Sequence, residues 1–372
     1  MPVAQPPRPA VPPAPPKPPE PPPKPKPEEV LAAFRELKPH QIDDKSLASL
    51  LSLDEGLETI TELNLQHSPV TSGQLSDIGK LTQLTKLDVR NTAIDKTAAE
   101  AIARLTNLEE LHIDGAGFDR AALEALRPLT NLRLLDMRSA RLTTAGYAEL
   151  LYHRKLVELV LHHSNVDDEA LGLLADLPEL ERLHVSHTLV TDEGIARLSK
   201  LDTLVLLDLS HCPSVSGRAF AQIAKSKGLK SLRQLKLEMT GLNELGANAI
   251  RQMKNLELLD LSSTSTMQDI HLAQIVRGLD ELRELNLKHC SLLTSNAMLA
   301  VKGHKNLTRL DLSYCPRIDD SVFNHLVTCK GLKWLNLANT NCSATNTERF
   351  KQFAPECEVV GVGLQATAPS SL

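Results

Sequence analysis

The sequence predicts an α/β solenoid, a curved stack of about twelve repeats with caps at its ends. A concave parallel β-sheet lines it and helices cover its convex side. Three observations predict this. A motif L-x-x-L-x-L recurs along most of the chain, a helix-capping residue follows it at a nearly fixed offset, and a small residue stands between the two.

The leucine motif sets the repeat. Its middle leucine stands at Leu63, Leu87, Leu111, Leu135, Leu159, Leu183 and Leu207, at intervals of 24 residues. It continues at Leu235, Leu259, Leu285, Leu310 and Leu335, at intervals of 28, 24, 26, 25 and 25. Self-similarity at such a period marks stacked units that each pack on their neighbours. Within the unit Leu180 to Leu198, residues Leu180, Leu183 and Val185 point inward from a short strand. The 28-residue interval between Leu207 and Leu235 marks a change of repeat character, where the solenoid bends or divides into two halves.

The helix comes next. Thr71, Asp95, Asp119, Thr143, Asp167, Thr191, Ser216, Asn243, Gln268, Thr294, Asp319 and Ser343 occupy one position of the repeat. All but Gln268 are residues that accept a hydrogen bond from the first turn of a helix. Acids that follow, such as Asp192 and Glu193, suit the positive end of the helix dipole.

Three residues beyond the last strand leucine the chain must bend in a crowded turn. That position holds only Ser, Thr, Ala or Cys, from Ser68 to Thr340. Cys212, Cys290 and Cys315 therefore read as buried structural thiols. Cys342 replaces an apolar core residue, and Cys329 and Cys357 fall at a helix end and in a closing strand. Six such cysteines do not form a disulfide framework. Free thiols favour a reducing compartment, the cytoplasm. A membrane anchor preceding this chain start would instead put it outside.

The segments Leu207-Asp208-Leu209-Ser210-His211-Cys212-Pro213 and Leu310-Asp311-Leu312-Ser313-Tyr314-Cys315-Pro316 resemble leucine-rich repeats of the cysteine-containing, ribonuclease-inhibitor-like subclass. The units around Leu189-Val190-Thr191-Asp192-Glu193-Gly194 are similar to repeats abundant in some bacterial proteins. The resemblance covers roughly residues 40–360. It implies a horseshoe and a non-catalytic binding role, as in inhibitors, adaptors and the substrate-recognition subunits of ubiquitin ligases. The last class usually carries an F-box, which residues 28–56 do not show.

Strand residues that alternate with the leucines face the concave side in three columns. They hold eleven acids and seven bases. A mixed, mildly acidic face suits a protein partner of both charges and not a phosphate backbone. Asp or Asn fills eight of the twelve second-column places. This reads either as a consensus ladder satisfying neighbouring strands or as an acidic site. The candidate partner-binding residues are Arg90, Arg138 and Arg182, the apolar Leu134, Val160, Leu206 and Leu258, and the single tryptophan, Trp334. Exposed anchors of this kind concentrate binding energy. Trp334 also reads as packing beneath the C-terminal cap.

His163, His187 and His211 share one turn position in three successive units, with His162 and His184 on the adjacent face. They read as a solvated column or as a transition-metal site. No nucleophile elbow, phosphate loop, dinucleotide fingerprint or zinc-protease motif occurs, and no catalytic residue or cofactor is expected. Asn306-Leu307-Thr308 and Asn341-Cys342-Ser343 match the glycosylation pattern by sequence alone.

The ends differ in physics. Residues 1–27 hold 15 of the 23 prolines and a net charge of +3, so residues 28–372 carry -8 of the total -5. Such a segment cannot build a core and should extend as polyproline II. It reads as a disordered tether, a ligand for a proline-binding module (Pro15-Pro16-Lys17-Pro18), or a stalk. No signal-peptide layout and no run of 18 apolar residues is present. A helical stretch over Glu28–Leu37 opens an N-terminal cap and half-repeat at 28–56. The repeats run over 57–360, and 361–372 form a loose tail.

Overall fold

The computed structural model describes residues 26–92, 94–223 and 230–362. Apart from their inner ends, the two expected tails lie outside the described residues.

Among the described residues, thirteen three-residue strands form one sheet in chain order. They are β1 (Glu62–Asn64), β2 (Lys86–Asp88), β3 (Glu110–His112), β4 (Leu134–Asp136), β5 (Glu158–Val160), β6 (Arg182–His184), β7 (Leu206–Asp208), β8 (Gln234–Lys236), β9 (Leu258–Asp260), β10 (Glu284–Asn286), β11 (Arg309–Asp311), β12 (Trp334–Asn336) and β13 (Glu358–Val360). Neighbours pair in parallel, with the motif leucines side by side: Leu63 with Leu87, and Leu335 with Val359. The long interval leaves the ladder unbroken, because Leu207 still pairs with Leu235.

The motif leucines are almost wholly buried in one continuous core. Two short helices, α1 (Pro27–Arg35) and α2 (Asp44–Leu51), add Leu31, Leu47, Leu50 and Leu51 to it at the N-terminal end. At the other end a helix at Ala344–Phe353 adds Phe350, whose ring stacks on Phe323 at 5.1 Å.

The convex helices are short, such as Lys96–Ile102 and Asp168–Leu174, and some repeats use a 3-10 turn instead, as at Ser295–Val301. At nine of the twelve expected positions, Asp95 and Thr191 among them, the side chain accepts a first-turn N–H. Thr71 makes no such bond, and its hydroxyl donates to Asp44 of the preceding helix.

That exception belongs to a second pattern. Asp44, Asp168, Asp192, Asp269 and Asp320 each accept the backbone N–H and the hydroxyl of the next repeat's capping residue. An acid placed to suit one helix dipole thus also ties two helices together. Where Asp168 reaches Thr191, a side chain on Gly194 would collide with the carboxylate.

The small turn residues divide by chemistry. Thr92, Thr188, Thr240 and Thr340 donate to the carbonyl three residues back in their own repeat. Cys212, Cys290 and Cys315 instead donate to Val185, Leu261 and Leu287 of the preceding repeat, at 3.2–3.3 Å. The cysteine thiols therefore bond between repeats where the threonine hydroxyls bond within one.

Just before this position the backbone turns left-handed. Eleven described non-glycine residues, from His67 to Asn339, have φ between 50° and 62°. Such a conformation is uncommon and favours His and Asn. It lets the N–H of His163 reach Ser186 and that of His187 reach Ser210, both at 2.9 Å, extending the sheet ladder into the turn.

Candidate functional site

The concave sheet face is built from the three polar columns. All eight Asp and Asn residues of the second column make one contact in common. Each accepts the backbone N–H two residues ahead, as Asp88 does from Arg90 and Asn336 from Ala338. Asp and Asn are selected because a short side-chain acceptor can close that turn. The bond common to all eight closes the strand's own end, and cross-strand bonds are added where Asn286 donates to Asp260 and Asn336 to Asp311.

The N-terminal half of the face is an ion-pair lattice. Arg90 bonds both carboxylate oxygens of Asp88 and reaches Asp136 at 3.4 Å. Arg138 holds Asp136 at 2.5 Å, and His112 Nδ1 lies 3.4 Å from the same carboxylate. Burial pushes the Asp136 carboxyl up, but the His112 and Arg138 hydrogen bonds and the Arg138 charge outweigh it and hold it at about 2. Lys86 pairs with Glu110 at 2.7 Å and Arg182 with Glu158 at 2.6 Å.

These contacts change the standing of the sequence candidates. Arg90 is mostly covered, while Arg138 and Arg182 keep 44% and 41% of their side chains exposed. All three are already neutralised within the face. Val160 and Leu206 were expected as exposed anchors. They are 8% and 7% exposed, so neither offers a free apolar surface. Parallel strands about 4.8 Å apart let long neighbouring side chains cover a short one. Leu134, Leu258 and Trp334 remain half-buried and reachable.

Leu258 and Trp334 come together across the C-terminal half. They line one hollow of about 170 Å³ with Lys236, Glu284, Arg309 and Asp311. Trp334 lies on the concave face, not beneath the cap. The guanidinium of Arg309 sits 4.3 Å from its ring centre, a cation–π contact.

The histidines also separate. His163, His187 and His211 stack face to face, with ring centres 4.0 and 3.9 Å apart. Identical left-handed turns in register produce the stack. Parallel rings present their nitrogens side by side, not converging on one point, so the row is poor ligand geometry. Among the described residues, the group that brings three metal-capable donors within 4.8 Å is His162, His184 and Asp208. His162 and His184 were visible as concave residues, but their meeting with Asp208 needed the stacking of β5, β6 and β7.

Sequence reading missed a convex cluster altogether. Glu149 is 3% exposed and accepts Arg120 at 3.1 Å and Arg127 at 2.6 Å. Tyr152 packs against Arg127 and is half exposed. The four come from two different repeats, and no shared column marks them. The glycosylation patterns have another use: the side-chain amides of Asn306 and Asn341 donate to Asp280 and Pro316 carbonyls of the preceding repeat.

Known proteins repeat this architecture. A family model described as Leucine Rich repeat matches residues 303–321. A chain of the yeast Rad7 and Elc1 complex aligns over 90% of this chain and 87% of its own length, at 20% identity and a TM-score of 0.60. The chain is a leucine-rich-repeat solenoid. A chain of the TLR13–ssRNA13 complex is similar over 78% of this leucine-rich-repeat chain and 47% of its own length, at 20% identity and a TM-score of 0.53. No described helix of this solenoid is long and apolar enough to cross a membrane.

Proposed function

We propose that this solenoid is a non-catalytic interaction module that holds a protein partner on its concave face. The hollow between Leu258 and Trp334 carries the reading. It joins an aliphatic and an aromatic anchor to Lys236, Arg309, Glu284 and Asp311 on one open surface. Binding energy concentrates in such partly desolvated anchors ringed by polar groups. The arginines Arg90, Arg138 and Arg182 and the half-buried Leu134 form a second, weaker zone toward the N-terminal half.

The excess of acids in the columns favours a protein over a nucleic acid. The TLR13 structure holds single-stranded RNA, so this preference rests on charge and not on fold. The proline-rich residues 1–27 would serve as a tether or as a ligand for a proline-binding module. Buried free thiols support a reducing, cytoplasmic setting.

The test is capture of a partner from the source cell's lysate by the full chain, repeated with variants. Binding should survive Tyr152→Glu on the convex side and be lost with Leu258→Lys and Trp334→Ala. The reverse pattern overturns the concave reading. A second reading, a substrate-recognition subunit of a ubiquitin-ligase-like complex, draws on the likeness to the Rad7 and Elc1 structure. Stable co-purification of a catalytic chain would favour it.

A further inference from the structure

We propose that His162, His184 and Asp208 form a binding site for a divalent transition metal of the zinc class. Their donor atoms lie within 4.8 Å of one another on the concave face. Two imidazoles and one carboxylate are a borderline-soft donor set of the kind zinc takes, leaving a fourth position for water.

The surroundings orient the donors. His184 turns Nδ1 toward Asp208 Oδ2, 3.8 Å away, and Nε2 toward Glu158 Oε1, 3.3 Å away. Nδ1 then serves the metal while Nε2–H donates to Glu158. A carboxylate behind a ligating imidazole raises its basicity and fixes its tautomer. His162 Nδ1 lies against the Ser186 hydroxyl at 2.5 Å, which leaves Nε2 as its ligand atom. Zinc bonds such donors at about 2.0–2.1 Å, so tetrahedral donors stand about 3.4 Å apart. The present spacing needs only a small closure.

The contrast with the rest of the face is the second ground. At Asp88 and Asp136 the third column supplies Arg90 and Arg138, whose guanidiniums occupy the carboxylates. Around Asp208 the same column supplies His162, Ser186 and Ser210. One imidazole, that of His162, thus stands in the column where those two repeats place arginine. Lys236 Nζ, 3.8 Å from Asp208, is the cation an ion would displace.

The test is calorimetric titration of the chelator-treated full chain with zinc chloride. One equivalent should bind. His162→Ala should abolish binding, and Glu158→Gln should weaken it roughly tenfold to a hundredfold. A chain carrying His163→Ala, His187→Ala and His211→Ala together should bind as before. No binding by the unaltered chain overturns the site, as does binding lost with the turn row or kept by His162→Ala. A measurement needing no variant guards against misfolding. On zinc addition, NMR ring signals of His162 and His184 should shift together, and a shift confined to other histidines overturns the assignment. Neither readout involves a partner, so failure here leaves the interaction reading untouched.

Discussion

Asp168 accepts both the backbone N–H and the hydroxyl of Thr191, each at 2.7 Å, and so fastens the start of one helix to the start of the next. Both bonds go to a charged acceptor, which makes each stronger than a neutral one. Asp168→Ala should lower unfolding stability by about 2–3 kcal/mol. Gly194→Ala, which drives a methyl into that carboxylate, should cost about 1–3 kcal/mol. Urea midpoints measure both, and an unchanged midpoint for Asp168→Ala would show that the inter-repeat bonds are merely geometric.

Acid should dissolve the concave lattice in a defined window. Asp136 is held at about 2, below the ordinary aspartate range, so the folded state binds its proton less readily than the unfolded one. The stability this supplies is present above pH 4 and is lost as pH falls toward about 2, roughly 2 kcal/mol in all. Stability curves of the natural chain and Asp136→Asn should differ in slope only across that window. Parallel curves would sink the assignment.

The thiols should be inert while the chain is folded. All six cysteines are free and buried. Burial pushes the Cys290 and Cys315 thiols up to about 12. The thiolate is the reactive form, so a disulfide reagent should label none at neutral pH until denaturant is added. Rapid labelling of the native chain would contradict the packing.

The stacked turn histidines predict an ordinary titration made abnormal by company. Desolvation lowers the His187 pKa first, and the neighbouring His211 and His163 rings lower it further. In an NMR titration His187 should take its proton below the ordinary histidine range. Replacing His163 and His211 by alanine should move it back up. No movement would show that the neighbours exert no effect on the ring.

The repeat period, the strand leucines, the capping residues and the small turn residue were all legible in the sequence. Each is a local demand: a leucine must fill its own layer, and a first-turn N–H must find an acceptor within a few residues. The candidate surface was legible only as columns. Whether Val160 and Leu206 are reachable and whether Leu258 meets Trp334 depend on neighbours about one repeat or more away in the chain. The same holds for Asp168 with Thr191, for Glu149 with its two arginines, and for His162 with His184 and Asp208. Sequence determined which residues share a face, because alternation along a strand is short-ranged. Tertiary structure decided which side chains cover, pair or converge, because those contacts form between repeats and depend on how side chains of unequal length fill the narrow spacing between strands.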